Sequence, residues 1–212
     1  MRVNYFDLGL YTAVELDWMV NSILPSIGVL DFRAYGFEAN PTIYQKDVQK
    51  FKSHDKVEIF NLAICRQNTK INFYLSDNPV SHSIYSTKKN VDANKFIEVQ
   101  GVVFSDWIKE NVPTFKKDFN IIKANIEGAE WDLMNDLNDN DMIKNIQIFC
   151  GQFKDVKKVK ELRGNLRTYR NFFKENNIRI ERFASHRRRK NADMSSIIKE
   201  KLKSFGKNSY EK

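Results

Sequence analysis

Two turns within the first 40 residues carry residue types that suit nucleotide binding. The apolar run that ends in Asp7-Leu8-Gly9 is typical of a strand turning into a helix. Glycine there lets the backbone approach a ligand, and N–H groups at the helix start bind carboxylates. Glu38 ends a second apolar run, where an acid accepts hydrogen bonds from ribose hydroxyls in nucleotide-binding folds. Taken singly, these features are also typical of an ordinary turn and a solvated glutamate.

A third turn follows an apolar run over residues 119–126, which predicts a buried strand. Glu127-Gly128-Ala129-Glu130 comes next, at the start of a predicted helix. This order places Asn125 and Glu127 at a strand end, beside the site that the first two turns define. Glu130 has two interpretations, because an acid near a helix start is also favoured by the helix dipole.

The elements that must position these turns alternate between strand and helix. Such alternation predicts an α/β fold with a mostly parallel sheet, helices on both faces and ligands at the carboxyl ends of the strands. Apolar runs predict strands over 2–7, 32–37, 57–64, 70–75, 96–103, 119–126, 143–150 and 178–184. Caps and helical spacing predict helices after Thr12, over 41–51, from Ser105, over 128–137 and over 156–176.

The chain length of 212 residues suits a single domain over residues 1–212. We expect a core over 1–155 that carries the three turns. Residues 156–212 are expected to form a basic helix and a closing hairpin, in which 195–198 pairs with the preceding strand. Because the chain opens directly in a strand, we also expect a domain taken from a longer polypeptide or a minimal version of its fold.

The two cysteines, Cys65 and Cys150, lie in apolar runs and are expected to be buried reduced thiols. Two cysteines and three widely spaced histidines make no recognisable zinc motif, so no metal site is predicted. No signal peptide and no apolar run long enough to span a membrane are apparent. A cytoplasmic, reducing compartment is therefore expected.

The positive charge is concentrated in the last third of the chain. Residues 1–150 hold 16 Lys and Arg against 20 Asp and Glu, a balance of −4, whereas residues 151–212 hold 19 against 7, a balance of +12. A basic run over 157–174 and the cluster at 187–190 could bind an anionic partner such as RNA. Tyr169, Phe172 and Phe173 are spaced like one buried face of a helix, so solvated cations are the other interpretation.

Together the three turns resemble those of the FkbM family of S-adenosylmethionine-dependent methyltransferases, over about residues 3–155. The run Lys123-Ala124-Asn125-Ile126-Glu127-Gly128-Ala129-Glu130 is similar to the family signature Lys-Ile-Asp-Val-Glu-Gly-Ala-Glu. Gly36-Phe37-Glu38-Ala39-Asn40-Pro41 is similar to its Phe-Glu-Pro-Asn-Pro. Asn61-Leu62-Ala63-Ile64 and Phe104-Ser105-Asp106-Trp107-Ile108 stand where the family has a strand leading to an alanine near the adenine and Leu-Asp before a short helix.

The resemblance implies a Rossmann-like class I fold with a seven-stranded sheet and S-adenosylmethionine as the cofactor. It implies methyl transfer to a hydroxyl of a sugar or glycan acceptor; an RNA methyltransferase or an RNA-binding module is the alternative. By position, Asp7 and Gly9 would shape the pocket for the methionine end of the cofactor. Glu38 would hold the ribose, and Ala39 and Ala63 would flank the adenine.

The chain also departs from the family pattern. Tyr11 and Ala13 stand where the family has asparagine and glycine, Ala39 replaces a proline, and Asn125 replaces the signature aspartate. Asn125 and Glu127 would lie near the sulfonium and the acceptor. Because an asparagine cannot act as a base at neutral pH, loss of catalysis with retained cofactor binding is one alternative.

The other alternative is a base elsewhere, and His82 is the first candidate. It lies in 76–94, the longest stretch without a clear period, which predicts a loop near the ligand edge. Its ordinary pKa near neutrality suits a general base, although an exposed loop histidine is also common. Glu127 is the second candidate and His186 the third.

Overall fold

The fold, taken from a computed structural model that describes residues 1–181, 183 and 194–208, is built on two sheets. The main sheet has six strands in the described residues, all paired in parallel. They are β1 (Val3–Leu8), β2 (Phe32–Phe37), β3 (Val57–Phe60), β7 (Phe119–Ala124), β8 (Ile146–Gly151) and β9 (Ile180–Glu181).

The strand order of the main sheet is β3-β2-β1-β7-β8-β9. The order reverses between β1 and β7, which lie side by side with Asp7 opposite Lys123. In open parallel sheets, ligands bind in the crevice outside the carboxyl ends of the strands at such a reversal. The three turns found in the sequence all begin at this edge.

A second sheet is connected to the segment that covers this edge of the main sheet. It has the order β4-β6-β5, from β4 (Ala63–Ile64), β5 (Lys70–Tyr74) and β6 (Phe96–Val102). Strands β5 and β6 pair antiparallel, and the chain between them is long. We call residues 75–95 the covering segment.

Helices pack on both faces of the main sheet, as predicted. They are α1 (Val14–Trp18), α2 (Leu24–Ser26), α3 (Pro41–Phe51), α4 (Phe104–Asn111), α5 (Glu130–Asp139), α6 (Leu166–Glu175) and α7 (Met194–Asn208), with a π-helical turn at Met19–Ile23. Each face has its own buried apolar cluster, one around Phe6 and Trp107 and one around Tyr5 and Leu16. No helix within the described residues is long and apolar enough to cross a membrane.

The predicted count of seven strands is wrong, because residues 195–198 are part of helix α7 and form no hairpin strand. Met194 and Ile198 are both buried, one helical turn apart, in the cluster around Tyr5. Ile197, Leu202 and Phe205 pack against the same cluster, which gives the helical period of a buried face. Residues 195–198 taken alone contain only two apolar residues, Ile197 and Ile198, which are too few to reveal that period.

Two other predicted elements are broken up. Residues 156–176 form 3₁₀ turns at Asp155–Lys158 and Arg163–Asn165 before α6 begins at Leu166, so the long helix is wrong. Val156, Val159 and Leu162 are buried at a spacing of three, which suits 3₁₀ turns rather than an α-helix. The predicted strand 57–64 divides into β3 and β4, which belong to different sheets.

Candidate functional site

A cavity of about 270 Å³ lies at the carboxyl ends of β1, β2 and β7. Its floor comes from the three strand-end turns, and the covering segment supplies Pro79, Val80, His82 and Ile84. Seven of the eight residues predicted for the site line this cavity, namely Gly9, Glu38, Ala39, Ala63, His82, Asn125 and Glu127.

The first turn can be made only by a glycine. Gly9 has a φ of 85°, and a Cβ there would lie 2.2 Å from the backbone oxygen of Asn125. The N–H groups of Gly9 and Leu10 both donate to the carbonyl of Phe37, which ties the turn to the end of β2. Close approach of two backbones and a left-handed conformation therefore both select glycine.

The same turn places two non-glycine residues in the left-handed region. Tyr11 has a φ of 53° and Ala13 a φ of 52°. Asparagine and glycine tolerate this conformation best, and they are the residue types the family pattern has at these two positions. The turn therefore has a left-handed backbone at two positions whose side chains are less suited to it.

Asp7, the eighth predicted residue, lies beneath the turn and does not line the cavity. Its carboxylate is fully buried and lies 2.7 Å from the ammonium of Lys123, which also donates to the carbonyl of Gly9 at 2.8 Å. Burial lowers the pKa of Lys123, but the neighbouring Asp7 carboxylate more than reverses this and keeps the ammonium charged. The pair holds the glycine turn from below, and sequence reasoning missed the part played by Lys123.

Glu38 closes the second turn. Its two carboxylate oxygens accept hydrogen bonds from the backbone N–H groups of Asn40, at 2.8 Å, and Tyr11, at 2.9 Å. Burial raises the pKa of Glu38, and these two N–H groups oppose the rise. A carboxylate oxygen has two lone pairs, so each oxygen keeps one for a hydroxyl in the cavity.

Apolar residues flank the second turn. The side chain of Asn61 donates to the carbonyls of Glu38 and Ala39, at 2.8 and 3.0 Å, which fixes the chain after β2. Ala39 and Ala63 then face the cavity together with Ile43, Leu62 and Ile64. A flat apolar ring can pack against this side of the cavity.

The third turn is braced by Glu130. Its two carboxylate oxygens accept from the backbone N–H groups of Ile126, at 2.9 Å, and Gly128, at 2.7 Å. These bonds enclose Glu127, which has a left-handed φ of 56°. A Cβ on Gly128 would lie 2.6 Å from Val159, so that glycine is required as well. Glu130 thus shapes the turn, and burial raises its pKa to about 7.

The strained turn brings Glu127 to the cavity wall and places its side chain against a buried lysine. Its carboxylate lies 2.6 Å from the ammonium of Lys88, and the Glu127 side chain is 15% exposed. Burial raises the pKa of Glu127, Lys88 lowers it and Asp155 raises it further. Left-handed non-glycine residues are found preferentially at functional sites.

His82 reaches the cavity from the covering segment. Its Nδ1 accepts a hydrogen bond from the backbone N–H of Ser76 at 2.9 Å, and its ring packs edge-on against Phe73. Burial lowers the pKa of His82, and the charges of Lys88 and Lys95 lower it further, so the ring is neutral at pH 7. With Nδ1 accepting, the proton of the neutral ring is on Nε2.

Two other sequence predictions cannot be compared with the structure. His186 and the cluster 187–190 are outside the described residues. Lys88 was missed because a lysine in a polar loop gives no sign of burial. Across the part of the chain that the structure describes, no group of three or more His, Cys, Asp or Glu residues is placed to hold a metal ion.

A family model described as "Methyltransferase FkbM domain" matches residues 27–198, which is most of the chain. No curated protein and no solved structure matches the chain.

Proposed function

The chain belongs to the FkbM methyltransferase family, and from that premise we propose that it methylates a hydroxyl oxygen of a sugar or glycan. Methyltransferases of this type depend on S-adenosylmethionine, which is therefore the cofactor. The observation that carries the choice of a hydroxyl is the position of Glu127, an acidic residue that lines the cavity at the end of β7. An alcohol is a poor nucleophile, and a carboxylate of raised pKa is a suitable group to take its proton.

The residues at the cavity fit this cofactor. The spare lone pairs of Glu38 suit two ribose hydroxyls, and the apolar surface of Ala39 and Ala63 suits an adenine ring. Gly9 brings the backbone close to the cavity, where the methionine part would lie. Asn125 lines the same cavity, and its side-chain amide would be the group that contacts the cofactor there.

When bound, the cofactor supplies an electrophilic methyl group, which leaves with the sulfur–carbon electron pair remaining on sulfur. Glu127 accepts the proton of the acceptor hydroxyl as the new oxygen–carbon bond forms. The covering segment limits the access of water, because Pro79, Val80 and Ile84 line the cavity above the turns. The cavity walls also contribute to catalysis, because they hold the acceptor in a reactive orientation.

His82 takes a role in this proposal that differs from the predicted one. A ring whose Nδ1 accepts from Ser76 and whose Nε2 carries the proton has no free lone pair for a second proton. Its Nε2–H instead donates a hydrogen bond to an acceptor oxygen in the cavity. Proton removal then falls to Glu127, which was the second candidate on sequence grounds.

The acceptor class is tested by incubating the protein with methyl-labelled S-adenosylmethionine and a panel of neutral and anionic glycans. We expect label in a glycan methyl ether, located by mass spectrometry, and S-adenosylhomocysteine in equal amount. RNA is included in the same panel. Label in RNA alone, or in none of the glycans, would overturn the proposal of a glycan hydroxyl.

A second candidate, methylation or binding of RNA, is favoured by the charge distribution. Residues 151–212 carry the balance of +12, and α6 presents Arg167 and Arg170 on its exposed face while Tyr169 is buried. Phosphate contacts make binding strongly dependent on salt. Binding of RNA that falls steeply between low and high salt would favour this candidate, whereas binding that is absent at low salt would exclude it.

A further inference from the structure

Lys88 is a buried lysine in the middle of the covering segment. Its residue exposure is 3%, its ammonium lies 2.6 Å from the Glu127 carboxylate, and it donates to the carbonyl of Ser81 at 2.9 Å. Removing an ammonium from water costs several kcal/mol unless a partner compensates for it. An apolar side chain could fill this buried position at lower cost, so the presence of a charged lysine indicates a role for its ammonium group.

Several contacts fix Lys88 relative to the wall that carries Glu127. The hydroxyl of Ser83 donates to the Glu127 carbonyl at 2.8 Å, and the N–H of Lys89 donates to the carbonyl of Lys158 at 2.9 Å. Lys88 itself forms a β-bridge with Val159. The ammonium therefore meets Glu127 because the whole covering segment is seated there.

The other charges around Glu127 make Lys88 decisive. Asp155, in the 3₁₀ turn after β8, faces Glu127 and raises its pKa, and the buried carboxyl of Glu130 lies in the same turn of chain. Lys158 is also near, but its ammonium bonds to Asp155 at 2.8 Å. Among these described groups, Lys88 is the cation in direct contact with Glu127. Without it, a largely buried carboxyl beside other acids would bind a proton more tightly and would be a poorer proton acceptor.

We propose that Lys88 is a positioning residue that keeps the Glu127 carboxylate ionised and aimed at the cavity. The inference rests on the proposed function, in which Glu127 takes the proton of the acceptor. Because Lys88 lies on the covering segment, ionisation of Glu127 is linked to the packing of that segment over the cavity.

The experiment follows the titration of Glu127 itself in the free protein, by ¹³C NMR of its side-chain carboxyl. The resonance is assigned by its loss in Glu127→Gln. Lys88→Met is compared with Lys89→Met, in which the neighbouring exposed lysine is removed, and with Lys88→Arg, which keeps a cation. We expect the pKa of Glu127 to rise by about 1 to 3 pH units in Lys88→Met, the scale of losing an opposite charge in contact. Parent-like titration is expected in Lys89→Met and Lys88→Arg.

An unchanged titration in Lys88→Met, or an equal rise in Lys89→Met or Lys88→Arg, would overturn the inference. A merely structural role for Lys88 would speed amide hydrogen exchange in residues 75–95 without moving the pKa. If Lys88→Met does not fold, Lys88→Gln provides the same comparison with a side chain that can still donate to Ser81. The titration does not involve an acceptor, so it fails or succeeds separately from the test of glycan methylation.

Discussion

The two ends of the cavity are built in different ways. The end proposed to hold the cofactor consists of turns at strand ends, where Gly9 and Glu38 contact backbone groups close to them in the fold. The end proposed to hold the acceptor is assembled from distant pieces, since Lys88 and His82 lie on the covering segment and Glu127 lies at the end of β7. One end is part of the parallel sheet, and the other depends on a loop being docked against it.

This difference separates cofactor affinity from turnover. The turns at the cofactor end are held by the main sheet and by the buried Asp7–Lys123 pair, so they are expected to be formed before any ligand binds. The acceptor end relies on a long connection, and long surface connections are the part of a fold in which specificity most readily changes. Substitutions at the two ends should therefore affect different measured quantities.

Glu127→Gln is expected to have the largest effect on catalysis. It removes the proposed proton acceptor while keeping the size of the side chain, so turnover should fall by about 10²-fold or more. Affinity for S-adenosylhomocysteine, measured by calorimetry, should stay close to that of the parent. The exposed Glu110→Gln serves as the matched control. Near-parent turnover in Glu127→Gln would break the assignment of the two ends.

Glu38→Ala should show the opposite pattern. We expect affinity for S-adenosylmethionine and S-adenosylhomocysteine to weaken by roughly 1–3 kcal/mol, the scale for hydrogen bonds to a charged group. Turnover at saturating cofactor should change much less. Glu58→Ala, on an exposed position of β3, is the control. Unchanged calorimetric affinity in Glu38→Ala would remove this residue from the cofactor site.

The substitution Glu130→Gln tests, through the free energy of unfolding, how Glu130 braces the turn that carries Glu127. The pKa of Glu130 is raised from 4.5 to about 7 in the folded protein, so the folded state binds the proton more tightly than the unfolded state. Its contribution to stability is therefore fully present below pH 4.5 and is lost as pH rises towards 7.

The unfolding free energy is measured by denaturant unfolding at pH 5 and at pH 8. We expect it to fall between these pH values in the parent, and to fall by about 1 to 3 kcal/mol less in Glu130→Gln. Equal pH dependence in the two proteins would mean that Glu130 ionises normally in the folded state. Because the cofactor end is unaffected, affinity for S-adenosylhomocysteine provides a check that the variant remains folded.

His82→Gln distinguishes a hydrogen-bond donor from a base. The glutamine amide can still donate, so we expect turnover to fall by less than about tenfold. The pH–rate profile should keep the ascending limb of the parent, since Glu127 carries it. Loss of that limb together with a drop of about 10²-fold would show that His82 is the base and that Glu127 is not.

Ala13→Gly should have the smallest effect, and in the stabilising direction. Ala13 has a φ of 52°, a conformation that glycine adopts without the steric cost of a Cβ. We expect the unfolding free energy to rise by up to about 1 kcal/mol, because the relief of strain exceeds the added entropy of the unfolded glycine. Ala129→Gly, at a residue with φ of −71°, should instead destabilise the protein. A destabilised Ala13→Gly would show that the turn is not strained.

Residue types and their spacing along the chain were enough to predict the parts of this protein that depend on neighbouring residues. Gly9, Glu38 and the Glu127–Glu130 run were found because a strand end, a turn and a helix start leave a local pattern of residue types. The α/β class followed in the same way from alternating apolar periods, and the parallel six-stranded sheet confirms it. Seven of the eight predicted site residues share one cavity for this reason.

The contacts between distant residues could not be predicted in this way and became visible only in the folded chain. Parallel pairing sets Lys123 beside Asp7 and turns that acid away from the cavity, and docking of the covering segment sets Lys88 beside Glu127. Residues 195–198 are helical because Met194 and Ile198 pack together on a cluster formed by remote strands. Register, docking and burial arise from contacts across the whole chain, and the free energy of those contacts overrides the weak preferences of a short segment.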